Sequence, residues 1–399
     1  MKYCLIIPDG AADAAQDSLG GRTPLEAAAT PNMDAMAAAG RVGTVLTIPE
    51  GYAPGSDVAI MSVLGYAPQD YYSGRAPLEA ASMGISLQPG DYAVRCNLVT
   101  IADSTMADYS SGHISPAEAV EIMATLNAEI GGEGVEFYPG KGYRNILVVR
   151  GAGSLDVETT PPHDIAGEKI TAHLPRGADA KVFLGLMEKS RGILSTHEVN
   201  RRRKSDGKLE ATSIWLWGEG RSAVFPSFAE TYGVRAAVIT AVDLVAGICA
   251  LTGWERIDVP GATGYYDTDY RGKGRAAAEA LSAYDMVFVH VEAPDEASHD
   301  RDVEAKVKAI EEIDKHVVGP LMEAAAAFGR YRMLVLPDHY TLLSTAGHSK
   351  GAVPFAVCGE GINTCGAAHF DERHAALGMK FSSGPQLMSA FLGEADQWD

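Results

Sequence analysis

Short runs of consecutive apolar residues alternate along this chain with stretches of helical texture. Three of the runs end on the same dipeptide. Tyr3–Ile7 lead into Pro8-Asp9, Met286–Val291 lead through Glu292-Ala293 into Pro294-Asp295, and Met333–Leu336 lead into Pro337-Asp338. Runs of this kind read as strands buried on both faces, the signature of a parallel sheet. Proline cannot extend a central strand, so each run is expected to stop there. Each aspartate is then expected just beyond a strand's carboxyl end, where open α/β sheets bind their ligands. Two of the three are followed by histidines, Asp295 by His299 and Asp338 by His339.

The remaining pattern predicts two kinds of region. Residues 1–75 alternate strand and helix: Val42–Ile48 as a strand, a helix through Met33–Ala39 with Thr30 as N-cap and Pro31 in its first turn, and a helix at Val58–Leu64. The alternation resumes near Arg235, with strand Ala236–Thr240, helix Val242–Leu251, helix Val303–Val317, strand Pro354–Val357 and a closing helix near Pro385–Phe391. Between them the texture is α+β: strands Asp91–Ile101, Asn145–Val149 and Thr212–Trp217, and a helix Ser115–Ile130 capped by Ser115. The expected organisation is a discontinuous α/β core, 1–75 with 226–399, and an inserted α+β cap, 76–225. At 399 residues the chain is long enough for two domains.

Charge narrows the partners. The net charge of −19 argues against nucleic acid or an anionic membrane. It also disfavours a phosphorylated substrate unless cations reverse the sign locally. No stretch reaches the ~20 apolar residues of a membrane span, and MKYCLIIPDG lacks a signal peptide's apolar core. The five cysteines are odd in number and scattered, which fits reduced cytoplasmic thiols. A cytoplasmic location is expected.

The chemistry gathers at the Pro-Asp ends. Asp295 and His299, four apart, share one face if a helix starts at Asp295. Asp338-His339 can reach two different ions from an irregular strand end, and His348 follows nine residues on. Aspartates and histidines converging on one sheet edge read as a metal site. Ser56 precedes a helix in Gly55-Ser56-Asp57 and has two readings. It is the N-cap of that helix, or its hydroxyl is a nucleophile made competent by a bound cation. The Arg201–Lys204 run is likewise a solvated loop or an anion-binding element.

These motifs resemble those of the cofactor-independent (2,3-bisphosphoglycerate-independent) phosphoglycerate mutases, most closely the shorter archaeal-type branch, in the alkaline phosphatase superfamily. The resemblance rests on Asp9-Gly10, Gly55-Ser56-Asp57-Val58-Ala59, Asp295 with His299, Pro337-Asp338-His339, His348 and Val353-Pro354-Phe355. It extends to Gly21-Arg22-Thr23-Pro24-Leu25, Thr30-Pro31-Asn32-Met33-Asp34 and Gly261-Ala262-Thr263-Gly264, and it covers nearly the whole chain.

The resemblance implies an alkaline-phosphatase-like, doubly wound, mostly parallel sheet core. It implies interconversion of 3-phosphoglycerate and 2-phosphoglycerate through phosphoserine at Ser56, without 2,3-bisphosphoglycerate. One divalent ion would sit with Asp9, Ser56, Asp338 and His339 and the other with Asp295, His299 and His348. Manganese is the expected metal, with magnesium or zinc as alternatives. Resemblance and charge together select Arg95, Asn97, His113, Arg144, His163, Asp164, Arg201, Arg203 and Lys273 to grip the substrate. One position departs: archaeal mutases often carry an arginine where this chain has His113. Bacterial relatives with histidine there set the alternative, a homoserine kinase-like phosphotransferase. A phosphate-ester hydrolase is the other alternative within this chemistry. A metal-binding structural or regulatory protein is the alternative of a different class.

Overall fold

The computed structural model describes residues 1–393 and 398. The chain forms two compact units, one made of the segments up to Tyr72 and from Phe225 onward, the other running from Ser73 to Val224.

The first unit is built on an eight-stranded sheet. Its strand order is Met379–Phe381, Arg41–Leu46, Ala352–Gly359, Tyr331–Val335, Lys2–Pro8, Met286–Val291, Ala236–Ile239, Glu255–Arg256. Neighbours are parallel except Ala352–Gly359, which runs antiparallel to both of its own. The three runs that lead into Pro-Asp are adjacent at its centre. Lys2–Pro8 lies between the other two, with Ile6 level with Val335, and Pro8 level with Val291. Continuous burial of Leu5–Ile7, Met286–Val291 and Met333–Leu336 shows why these segments carry no alternation.

Two expectations are corrected at these ends. Pro294 does not stop its strand, which finishes at Val291; it lies in the first turn of helix Ala293–His299, where its missing N–H costs no hydrogen bond. The helix therefore starts two residues before Asp295. Nor does Val303–Val317 form one α-helix. It runs α-helical over Val303–Ile313 and then as a π-helix over Asp314–Val318. That wider turn accompanies a capping role for Asp314 toward the helix Pro31–Ala39. Its carboxylate accepts from the Met33 N–H at 2.7 Å and from the Asn32 N–H at 3.2 Å. Thr30, the expected cap, makes no side-chain capping bond, because a buried acid from another element already satisfies those donors.

The second unit carries a five-stranded antiparallel sheet, with Tyr92–Ala102 paired to Thr105–Asp108, Arg144–Val149 and Ser213–Arg221, and Val135–Lys141 beyond Arg144–Val149. Helix Pro116–Ile130 begins at the expected Ser115, whose hydroxyl and Glu118 cap each other reciprocally. The Arg201–Lys204 run is not a loop. It lies in helix Glu198–Ser205, on which Val199, Asn200 and Arg203 form the buried stripe. Among the described residues no helix is long and apolar enough to cross a membrane.

Candidate metal centre and nucleophile

Level strand ends bring the acids together. Asp9 follows Lys2–Pro8, Glu292 follows Met286–Val291, and Asp338 lies just past Tyr331–Val335. Asp295 joins them from the first turn of its helix. Burial, then the charges of Asp338, Glu292 and Asp295, push the Asp9 carboxyl well above its ordinary range. Asp9 Oδ1, Asp338 Oδ2 and Glu292 Oε2 are buried and receive no hydrogen bond. Clustered buried carboxyl oxygens without donors, whose ionisation burial opposes, call for a cation to hold them as carboxylates.

The histidines around them are oriented for the same purpose. His299 Nδ1 lies 2.9 Å from the Ala346 carbonyl, His348 Nδ1 3.4 Å from the Pro54 carbonyl, and His339 Nδ1 3.1 Å from the Thr341 hydroxyl. Each outer nitrogen has a protein acceptor, so each Nε2 is left to ligate. The Nε2 atoms of His299 and His348 approach to 3.1 Å of each other, and Asp295 lies 3.1 Å from the first and 3.3 Å from the second. Hydrogen bonding to Asp295 raises His299 to about 9. Burial opposes ionisation of Asp295, yet the bonds from His299 and His348 hold its carboxyl well below the ordinary range. Asp295, His299 and His348 thus form one group whose ligand atoms could surround an ion, and Asp9, Asp338 and His339 form a second. The rings of His339 and His348 lie 4.2 Å apart, so the groups adjoin.

Ser56 borders the second group. Its hydroxyl is 3.2 Å from His339 Nε2 and 3.4 Å from Asp9 Oδ2. The capping reading of Ser56 is overturned. Gly55 is the N-cap, Ser56 is the first helical residue, and its side chain turns to Asp9 and His339 instead of to the helix amides. At a helix N-terminus it also lies where anions are favoured.

Sequence reasoning missed three members. His290 is fully buried, with Nε2 2.8 Å from Asp9 Oδ2 and Nδ1 3.2 Å from the Thr240 hydroxyl; burial lowers it to about 3, so it stays neutral. Glu292 is pushed up to about 8 by burial and the neighbouring acids. Their signal was the period of two, which puts His290 and Glu292 on one face at a strand's end. Thr341 is the third. Lys273, expected to grip the substrate, belongs to this unit, as its place in the 226–399 segment implied. It is buried in helix Tyr270–Ala280, its ammonium reaches the His290 carbonyl at 3.3 Å, and burial lowers it to about 8.

In the other unit, Arg95 and Asn97 on Tyr92–Ala102 meet Trp217. The Arg95 guanidinium lies 4.1 Å from the Trp217 ring centroid and 3.0 Å from Glu79; Asn97 Oδ1 accepts from the Trp217 indole at 3.1 Å. An aromatic row continues from Trp217 to His163, Tyr109, Tyr143 and His113, with centroid spacings of 5.2, 6.2, 5.9 and 6.4 Å. Arg144 stacks on Tyr143 and donates to its hydroxyl at 3.0 Å. Burial, and then the charges of Arg95, Arg75 and Arg144, lower His163 against the pull of Asp164, 3.6 Å away. Six of the expected grip residues therefore share one face, and Trp217, Tyr109 and Tyr143 are members the sequence did not single out.

Arg203 is a correction. Its guanidinium is buried against Glu118 at 2.8 Å and donates to the carbonyls of Leu209, Ser111 and Gly112, so it braces the turn before His113 from within. Arg201 is exposed and pairs with Glu198 on its own helix at 2.6 Å.

Fold and site together define an α/β protein whose buried acids need cations beside a buried serine. The profile of the 2,3-bisphosphoglycerate-independent phosphoglycerate mutase family matches residues 37–200. A Methanothrix thermoacetophila protein of that name is 50% identical, over 95% of this chain and 96% of its own. Among solved structures, the cofactor-independent phosphoglycerate mutase of Thermoplasma acidophilum superposes with a TM-score of 0.70 at 28% identity, covering 98% of this chain and 99% of its own. A Pyrococcus horikoshii protein superposes at 0.81, also with 28% identity, covering 98% and 97%. The chain belongs to the 2,3-bisphosphoglycerate-independent phosphoglycerate mutase family.

Proposed function

We propose that Ser56 takes the phosphoryl group from 3-phosphoglycerate and returns it to the 2-hydroxyl of the same glycerate. In the first step the Ser56 Oγ–P bond forms as the substrate's ester bond breaks; the second step reverses this at the other hydroxyl. The geometry that carries this reading is the Ser56 hydroxyl beside Asp9 and His339 Nε2, with the Nδ1 atoms of His299, His339 and His348 each turned to a carbonyl or hydroxyl oxygen.

Asp9, Ser56, Asp338 and His339 would hold one divalent ion, and Asp295, His299 and His348 the other. An oxygen and imidazole donor set without thiolate suits manganese, the expected ion. Such ions, when bound, stabilise a serine alkoxide and neutralise phosphoryl oxygens. The chain's own groups do the rest. Asp9 accepts from the Ser56 hydroxyl, the Ala346 and Pro54 carbonyls aim two of the imidazoles, and the helix start favours the anion. The insert serves as the substrate-binding cap, with Arg95, Asn97, His113, Arg144, His163 and Asp164 supplying the cationic and polar face for carboxylate and phosphate.

Phosphorus NMR of the enzyme with 3-phosphoglycerate and manganese, without nucleotide, tests this. A growing 2-phosphoglycerate signal with no free phosphate is expected. Free phosphate alone means hydrolysis. No change, with homoserine phosphorylated once ATP is added, means that His113 marks a different acceptor.

A further inference from the structure

Thr341 is fully buried on the short strand Tyr340–Leu342, directly opposite His348 in the hairpin register. Its hydroxyl lies 2.6 Å from Asp295 Oδ1 and 3.1 Å from His339 Nδ1. A threonine hydroxyl has one proton. The short contact to the carboxylate takes it, so the oxygen must accept from His339, and Nδ1 must carry the hydrogen. The lone pair of His339 is then on Nε2, the atom facing Ser56.

The threonine itself is held at its backbone. Its N–H reaches the Ala12 carbonyl at 3.2 Å, and its carbonyl receives the buried Lys306 ammonium at 2.8 Å. Lys306 is paired at 2.7 Å with Asp13, which also accepts from the Leu343 amide. The opposite wall is Gly10, where an added Cβ would fall 2.5 Å from the Thr341 hydroxyl and 2.7 Å from Asp295 Oδ1. The side chain is confined from both sides.

We propose that Thr341 is a positioning residue that joins the two ion-binding groups, tethering Asp295 in one while fixing the tautomer of His339 in the other. This rests on the metal reading above. One hydroxyl then couples both groups, so its loss weakens both ions together instead of one. The Asp9–Asp338–His339 group is affected through His339, and the Asp295–His299–His348 group through Asp295.

The test compares Thr341→Val, which keeps the shape and removes the hydroxyl, with Thr341→Ser, which keeps the hydroxyl and removes the methyl. Manganese titration by calorimetry is read beside the imidazole nitrogen shifts of His339 in the metal-free protein. Removing a partner that orients a metal ligand typically costs about 10- to 100-fold in affinity. Loss in that range at both sites is expected for Thr341→Val, with a mixed His339 tautomer. Thr341→Ser is expected within a few-fold of wild type, with the Nδ1–H form retained. Wild-type affinity in Thr341→Val, a loss at one site alone, or an equal loss in Thr341→Ser would overturn the proposal. Wild type that binds no manganese would instead overturn the metal reading beneath it. A His339 with its proton on Nε2 in wild type would overturn the proposed role of Thr341 alone.

Discussion

The sheet-edge site and the inserted unit handle buried charge in opposite ways. At the site, Asp9, Glu292, Asp295 and Asp338 crowd together, and three of their oxygens have no donor. In the insert, buried or half-buried arginines that brace the fold have carboxylates: Arg203 has Glu118, and Arg150 has both Asp91 and Glu136. A fold does not keep like charges buried and unsatisfied for stability, since isolated buried charge is heavily penalised. The difference separates charge that serves the fold from charge that waits for something from outside. On the proposed reading, cations held where the acids are unpaired would reconcile −19 of net charge with an anionic substrate.

The comparison breaks most sharply at Ser56. Ser56→Ala should abolish phosphoryl transfer and leave the melting temperature nearly unchanged, because Gly55 and not Ser56 caps the helix. Retention of more than a few per cent of the wild-type rate would move the nucleophile elsewhere.

Next in size are the ligands. The double variant Asp295→Asn, His299→Ala should lose one of two bound ions by elemental analysis, together with most activity. It removes the half-exposed Asp295–His299 pair together with one of the crowded acids, two effects of opposite sign, so the stability of the metal-free protein should change little. A large fall in metal-free melting temperature would mean that these residues hold the fold.

The insert gives the converse. Arg203→Ala breaks a buried ion pair and leaves Glu118 and three carbonyls short of a donor, so it should destabilise by about 3 to 5 kcal/mol in denaturant unfolding. Arg95→Ala should instead raise KM more than it lowers stability. Equal stability losses in both would erase the distinction between a brace and a grip.

How far the sequence could be read follows the same division. The three central strands were legible because burial on both faces leaves unbroken apolar runs. Two of the candidate ligands, Asp9 and Asp338, were legible because Pro8 and Pro337 flag the strand ends beside them. His290 and Thr341 were not, because their roles depend on register: His290 stands level with Ile7, and Thr341 opposite His348. Local spacing tells which face His290 shares with Glu292, but not what either residue meets across the sheet or hairpin. Arg203 was misread because a run of cations does not say which one faces inward. The stripe Val199, Asn200, Arg203 does say so once a helix is assumed. Asp314 capping a helix some 280 residues away is a tertiary substitution for a local cap, invisible to a reading that looks for Thr30.

The smallest expected effect concerns Glu372, which accepts from the Asp13 amide and the Thr23 hydroxyl. Burial raises it from 4.5 to about 7. A carboxyl raised in the folded state contributes stability that is full below its unfolded value and lost as pH rises through the folded one. The melting temperature of wild type should therefore fall relative to that of Glu372→Gln between about pH 4.5 and 7. Parallel curves would mean that Glu372 is ionised throughout.

If the uncompensated acids assemble a phosphoryl-transfer site around one serine, that serine must carry the phosphoryl group during turnover. Acid quenching of manganese-loaded enzyme during turnover of 3-phosphoglycerate, followed by peptide mass spectrometry, tests it directly. Phosphate is expected on Ser56, and absent when manganese is removed by chelation. Phosphate on another residue, or none on any peptide during active turnover, would contradict it.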